Sequence, residues 1–228
     1  MKMIPVSLCI ALTMGFFPLK GEFGNLRESF DAMLLSSGSI QYSDYIDEHG
    51  VSYRTGAVLI DAPPETLRCI LEDMERLGTL LKHIEYYRIR HESAEGTLWS
   101  KDRVFVEGRF AIPEFPAQVT LMMEHDRSGR WRKWRTLTPE ETASFNKKGI
   151  QILPSGGLIK DMSGFEYLEP FDDGEKTVYY YAMNLSSTIP IPEYIGNVIN
   201  DAVYTEQMTM IKMMAEAYVQ KHEEEAKE

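Results

Sequence analysis

Few side chains in this chain sit at spacings that could do chemistry. The histidines His49, His83, His91, His125 and His222 do not fall at metal-ligand spacing, and with Cys9 in the apolar leader a mature chain holds only Cys69, too few for a disulfide or a cysteine-based metal site. Phosphate-loop, dinucleotide-fingerprint, nucleophile-elbow and zinc-protease motifs are absent. His125 extends an apolar strand face, as a hydrogen-bonded core residue or as an anchor for a ligand hydroxyl or carbonyl; general-base work would also need a partner carboxylate. Cys69, among Leu67, Ile70 and Leu71, reads as a small buried hydrophobe. Arg127, Arg130, Arg132, Lys133 and Arg135 interleave with Trp131 and Trp134. Such a run is a solvated hairpin with long side chains over aromatic rings, or a surface for anionic lipid headgroups. In the second reading Arg130, Arg132 and Lys133 make the membrane contact.

The charge balance narrows the partners. A formal net charge of -11 and a pI near 5.0 argue against general nucleic-acid binding, which requires excess Lys and Arg. An apolar content of 43% and a mean hydropathy of -0.29 suit a globular chain, and 228 residues suit one domain plus a targeting segment. Lys2 precedes a largely apolar run from Ile4 to Leu19, shorter than the roughly 20 residues of a spanning helix but suited to a signal peptide. Export to a periplasm or the exterior is the expectation, with an uncleaved anchor and then a disordered cytosolic leader as the alternatives.

The elements that must position any site follow from pattern. A short helix is expected over Leu26–Leu35, a first strand over Val51–Ile60, then two short helices over Glu65–Asp73 and Glu75–Lys82, broken near Met74. Further strands are expected over Ile84–His91, Leu98–Phe110, Ala117–Asp126, Trp131–Leu137, Leu158–Leu168 and Thr177–Ser186. Tight turns such as Asp172-Asp173-Gly174 favour antiparallel pairing. Glu193 to about His222 forms a long helix whose apolar stripe is Ile195, Ile199, Val203, Met210, Met214 and Ala217, with Gln207 as its polar break. Burying that stripe against a sheet face predicts an α+β fold, a curved antiparallel sheet wrapped around the last helix.

Particular segments in this order resemble the START-like (helix-grip) superfamily over roughly Tyr45 to Tyr218. They are Gly56-Ala57-Val58-Leu59-Ile60-Asp61-Ala62-Pro63-Pro64-Glu65, Leu71-Glu72-Asp73-Met74-Glu75, Ile112-Pro113-Glu114-Phe115-Pro116, Gly174-Glu175-Lys176-Thr177-Val178 and Ile189-Pro190-Ile191-Pro192-Glu193-Tyr194-Ile195. The expected division is a signal or anchor at 1–21, a helical extension at 22–50, the START-like domain at 51–222 and a charged tail at 223–228. The resemblance implies a tunnel between sheet and last helix for a lipid, sterol-like, quinone or polyketide ligand, with no metal or cofactor. Binding and transfer without catalysis is the leading expectation. A cyclase, aromatase or hydrolase on the same fold is one alternative, and a protein interaction module is another.

Period-two alternation names the inward side chains. They are Val104, Val106 and Phe110 on one strand, Leu121, Met123 and His125 on the next, and Tyr179, Tyr181 and Met183 on the last, where Val178, Tyr180 and Ala182 compete. Ile199, Val203 and Met210 complete the set from the helix.

Overall fold

Alternation of apolar residues and short turns folds the strands of the chain into one antiparallel sheet. The computed structural model describes residues 26–82, 84–90, 104–110, 117–126, 128–157, 159–190 and 193–225. Its strands are β1 Gln41–Ile46, β2 Ser52–Ile60, β3 Ile84–Arg90, β4 Val104–Phe110, β5 Ala117–His125, β6 Trp131–Thr136, β7 Gly156–Gly157, β8 Ile159–Phe171 and β9 Lys176–Ser187. Their order in the sheet is β1-β2-β9-β8-β6-β5-β4-β3, with the short β7 beside β5. The helices are α1 Ala32–Ser36, α2 Pro64–Glu72, α3 Met74–Leu80, α4 Pro139–Lys147 and α5 Glu193–Glu225. The expected α+β helix-grip architecture is therefore present.

Proline sets the start of α2, with Pro63 at its N-cap and Pro64 in its first turn. The break before α3 falls at Asp73, whose carboxylate accepts from the Arg76 amide at 3.2 Å and caps the new helix. Both faces of the sheet are covered. On the inner face Val58, Ile60, Val119, Tyr179 and Tyr181 pack with Leu67 and Leu71 of α2 and with Tyr204, Met208, Ile211 and Ala215 of α5. On the outer face Leu26, Phe30 and Leu35 cover Leu59, Phe165, Val178, Tyr180 and Ala182. The competition within β9 has this cause: both of its faces are buried.

Helix α5, 33 residues and about 50 Å long, is tied to the sheet beside β1 and β2. Arg54 grips Asp201 through two hydrogen bonds of 2.9 and 3.1 Å, and the Tyr204 hydroxyl donates to the Arg54 carbonyl at 2.9 Å. One turn from the middle, Lys212 Nζ donates to the Leu59 carbonyl at 2.8 Å. Among the described residues no helix is long and apolar enough to cross a membrane.

Several expectations change. The segment read as a helical extension contributes a full strand, β1, paired antiparallel with β2, so residue 50 is no structural boundary. Its helix is a 3-10 turn at Arg27–Ser29 followed by α1, which Asp31 caps. Helix α4 interrupts a stretch read as strands, and it covers Phe105 and Met122 on the outer face with Phe145. Its signal was present: Thr138 and Glu141 form a capping box, with Pro139 in the first turn. The buried stripe of α5 is Tyr204, Met208, Ile211 and Ala215, one residue on from the expected one, while Ala217 is exposed. Tyrosine looks polar in sequence, yet here its ring fills the core and its hydroxyl finds backbone carbonyls. The helix also runs through 223–225 of the expected tail. Cys69 is exposed, because it faces away from the buried Leu67, Ile70 and Leu71 of α2. The 1–21 leader and the 112–116 segment lie outside the described residues.

Candidate ligand cavity

Between the inner sheet face, α3 and α5 lies a cavity with about 40 Å³ of room for the centres of water-sized spheres. One water needs at least about 10–15 Å³ by this measure, so the space holds a few waters. Met74, Leu77 and Leu81 border it from α3 and the residue after it, and Gln207, Met210 and Ile211 from α5. The sheet supplies Tyr87, Leu121, Met123, Arg132, Trp134, Met162, Glu166 and Tyr181. Four of these walls are methionines, whose unbranched side chains refill or vacate space readily.

A charged pair sits in this otherwise apolar wall. Strand pairing places Arg132 of β6 opposite Glu166 of β8, and only 5% and 2% of their surfaces are exposed. Arg132 Nε donates to Glu166 Oε2, and Arg132 Nη1 donates to the Leu71 carbonyl at 2.8 Å. Glu166 Oε1 accepts from the Tyr179 hydroxyl at 2.7 Å and from Gln207 Nε2 at 3.5 Å. Burial works against the charge on Arg132, yet the Glu166 carboxylate outweighs it and holds the guanidinium above its usual pKa. The phenols move the same way for a different reason. Burial, helped by the Glu166 charge, pushes Tyr87 up to about 12. Tyr179 and Tyr181 rise well above the ordinary range, first through burial.

Trp134 lies over Gly164. A Cβ at that glycine would meet the indole ring at 2.6 and 2.7 Å, so the missing side chain is what admits the ring. Tyr181 packs beside it with ring centroids 5.5 Å apart. The indole Nε1–H is buried and has no hydrogen-bond partner among the described residues.

Of the residues named from sequence, Leu121, Met123, Tyr181 and Met210 line the cavity. Val104, Val106, Tyr179 and Met183 are buried in the same apolar core behind its wall, and Phe110 is half-buried at the edge. His125 is half-buried at the end of β5, opposite Arg132 in register, and does not itself line the cavity. Val203 is half-buried without lining the space, and the side chain of Ile199 lies outside the described residues.

The basic run does not form one surface. Arg132 points into the core, which corrects its assignment as a headgroup contact. Arg130 and Lys133 are half-buried, Lys133 Nζ sits 5.4 Å from the Trp131 ring centroid, and Arg135 is held by Glu141 at 2.6 and 2.8 Å. Period-two alternation along β6 puts Arg132 and Trp134 inside and Lys133 and Arg135 outside, and that signal was legible in the sequence. Glu166 carried a weaker one, an acid on the face that Leu168 and Met162 share. Among the described residues no group of three His, Cys, Asp or Glu side chains is placed to hold a metal.

No family model matches the sequence, and no curated protein sequence matches it. Solved structures do resemble it. A protein of Thermus thermophilus is 16% identical with a TM-score of 0.50, over 73% of this chain and 98% of its own. The Zhui aromatase/cyclase from Streptomyces sp. R1128 is 11% identical with a TM-score of 0.50, over 80% and 95%. A STAR-related lipid transfer protein fragment from Xanthomonas axonopodis is 15% identical with a TM-score of 0.50, over 75% and 97%. Similarity over nearly the whole length of these structures, together with this chain's antiparallel sheet and long closing helix, means that the chain adopts the START-like helix-grip fold.

Proposed function

We propose that the protein binds a hydrophobic small molecule in this cavity and carries it without chemical change. The chemistry of the walls carries the reading. An acid–base catalyst works best with a pKa near the working pH. Here the phenols are driven upward and the carboxylate is tied to a guanidinium, an arrangement suited to holding rather than to proton transfer. The methionine-rich remainder can yield to a larger occupant. That similar folds are named as a lipid transfer protein and as an aromatase/cyclase leaves the ligand class open between lipids and polycyclic molecules, sterol-like, quinone or polyketide.

The test uses N-phenyl-1-naphthylamine, a neutral dye whose fluorescence rises in apolar surroundings. Wild-type protein should enhance it, Met210→Trp should weaken binding at least tenfold by filling the cavity, and Val203→Trp, beside but not in the wall, should bind nearly as wild type. Equal binding by all three would remove the cavity from the reading. Turnover of an ester or a poly-β-ketone by the purified protein would replace the carrier with an enzyme.

The place of action proposed is outside the cytoplasm, supported by the apolar run after Lys2. Residues 1–30 fused to a reporter active only after export should give signal, and a silent reporter on an intact fusion would withdraw this. Arg130 and Lys133, both half-buried, are the residues left for the proposed transient contact with anionic lipid.

A further inference from the structure

A polar row crosses the inner face of the sheet. Arg132 of β6, Glu166 of β8 and Tyr181 of β9 are register partners in turn, and all three border the cavity. Tyr87 of β3 reaches the same space from the far edge of the sheet. Given the reading that the cavity binds a hydrophobic molecule, we infer that this molecule presents a carbonyl oxygen to the hydroxyls of Tyr87 and Tyr181, as an apolar ketone or quinone would. Neither hydroxyl has a hydrogen-bond partner among the described residues, yet neither belongs with the sealed, unpartnered atoms Thr55 Oγ1, Glu107 Oε2, Trp134 Nε1 and Thr142 Oγ1. Each hydroxyl therefore keeps accessible surface. Tyr181 as a residue is only 6% exposed, so the open space beside it is the cavity that it lines.

Tyr87 is aimed by two glycines. Gly108 is its register partner on β4, and a Cβ there would meet the Tyr87 ring at Cε1, 2.8 Å away; a Cβ at Gly78 of α3 would meet Cδ2 at 2.9 Å. The phenol is thus laid across β4 toward the charged pair, and both Glu166 and Arg132 act on its ionisation. After burial, Tyr87 is the strongest influence on Tyr181, ahead of Tyr204, whose ring centroid is 5.1 Å away. The two hydroxyls therefore converge. Tyr181 is itself held between the rings of Trp134 and Tyr204, so both donors are placed before a ligand arrives, which reduces the ordering cost of binding. Glu166, the acceptor of the row, is already engaged by Arg132, Tyr179 and Gln207. What remains is a pair of O–H donors, and one carbonyl oxygen, with its two lone pairs, accepts from both.

Three probes of one skeleton test this: tetralin, 1-tetralone and 1-tetralol. Wild-type protein should bind the ketone about tenfold tighter than the hydrocarbon, as the recovered hydrogen bonds imply. Tyr87→Phe and Tyr181→Phe, which keep the rings, should each lose part of that preference, and the double variant should bind ketone and hydrocarbon alike while still binding tetralin. The carbonyl stretch of ¹³C-labelled tetralone, read by infrared difference, should lie lower in the wild-type complex than in an alkane solvent. Should a variant not fold, this wild-type band decides alone. A band at the alkane position, or a ketone preference that survives in the double variant, overturns the assignment to the phenols and leaves the cavity reading standing. An alcohol that binds tighter than the ketone overturns the choice of a carbonyl. Failure of all three probes to bind wild type removes the cavity reading, and this inference with it.

Discussion

Arg132 and Glu166 have meaning only as a pair. Removing one partner of a buried ion pair strands the other, at about 3–5 kcal/mol, whereas replacing both with apolar residues of similar volume is often neutral or better. Arg132→Met and Glu166→Leu should each lose stability on that scale in urea unfolding. The double variant should recover most of it, less what Tyr179 forfeits as its hydroxyl loses its acceptor. A double variant as unstable as the sum of the singles would show that the two do not act together. Gly164 is the other residue on which the wall depends. Gly164→Ala sets a methyl against the Trp134 ring and the Ala182 carbonyl, an overpacking expected to cost about 1–3 kcal/mol and to displace the indole, seen as a shift in tryptophan emission.

Among the elements, α3 and α5 differ in how they are held. Helix α5 is fastened on the β1–β2 side by Arg54–Asp201, Tyr204 and Lys212. Near the end of α3, the Lys82 amide donates to Glu206 of α5 at 3.1 Å. The cavity lies between these helices, so its opening is expected at α3. Glu206→Ala should speed amide hydrogen exchange in Met74–Lys82 and the uptake of the naphthylamine dye, while exchange in the middle of α5 stays slow. Faster exchange in α5 instead would place the opening elsewhere. Helix α4 offers the contrast. Thr138→Ala removes its capping-box acceptor and should cost about 1 kcal/mol, yet leave dye binding unchanged, since α4 covers the other face of the sheet.

At the scale of the whole molecule the tyrosines couple folding to alkaline pH. Burial raises Tyr179, Tyr180, Tyr181 and Tyr204 above the ordinary phenol value near 10. Below pH 10 the phenols are protonated in both folded and unfolded chains, and their contribution is constant. Above it the unfolded chain releases protons that the folded chain keeps, so the raised pKa values favour unfolding as pH climbs. Stability should fall by about 1.4 kcal/mol per pH unit for each phenol so held. Tyr87 joins them until it ionises near 12. Urea midpoints between pH 9 and 11.5, with phenolate absorbance read in parallel, check this. Phenols that all titrate near pH 10 in the folded protein, without loss of stability, would contradict it.

Strands β2 to β6, β8 and β9, the antiparallel turns and the closing helix were legible in local pattern, because alternation and helical periodicity are properties of neighbours in the chain. Asp172-Asp173-Gly174 marked its turn correctly, with all three residues at positive φ. Inward residues on β5, Leu121 and Met123, were named on the same ground. Other features depended on what lies across space. Whether Tyr179 or Tyr180 faces the helix was ambiguous in sequence, since Leu26, Phe30 and Leu35 bury the second face from more than a hundred residues away. Strand β1 has a polar, half-exposed sequence and is a strand because β2 offers it an edge. The meeting of Arg132 with Glu166 is set by the register of β6 on β8. A lone charge in a strand reads as solvated until its partner is known, and pairing across a sheet leaves no local trace of who that partner is.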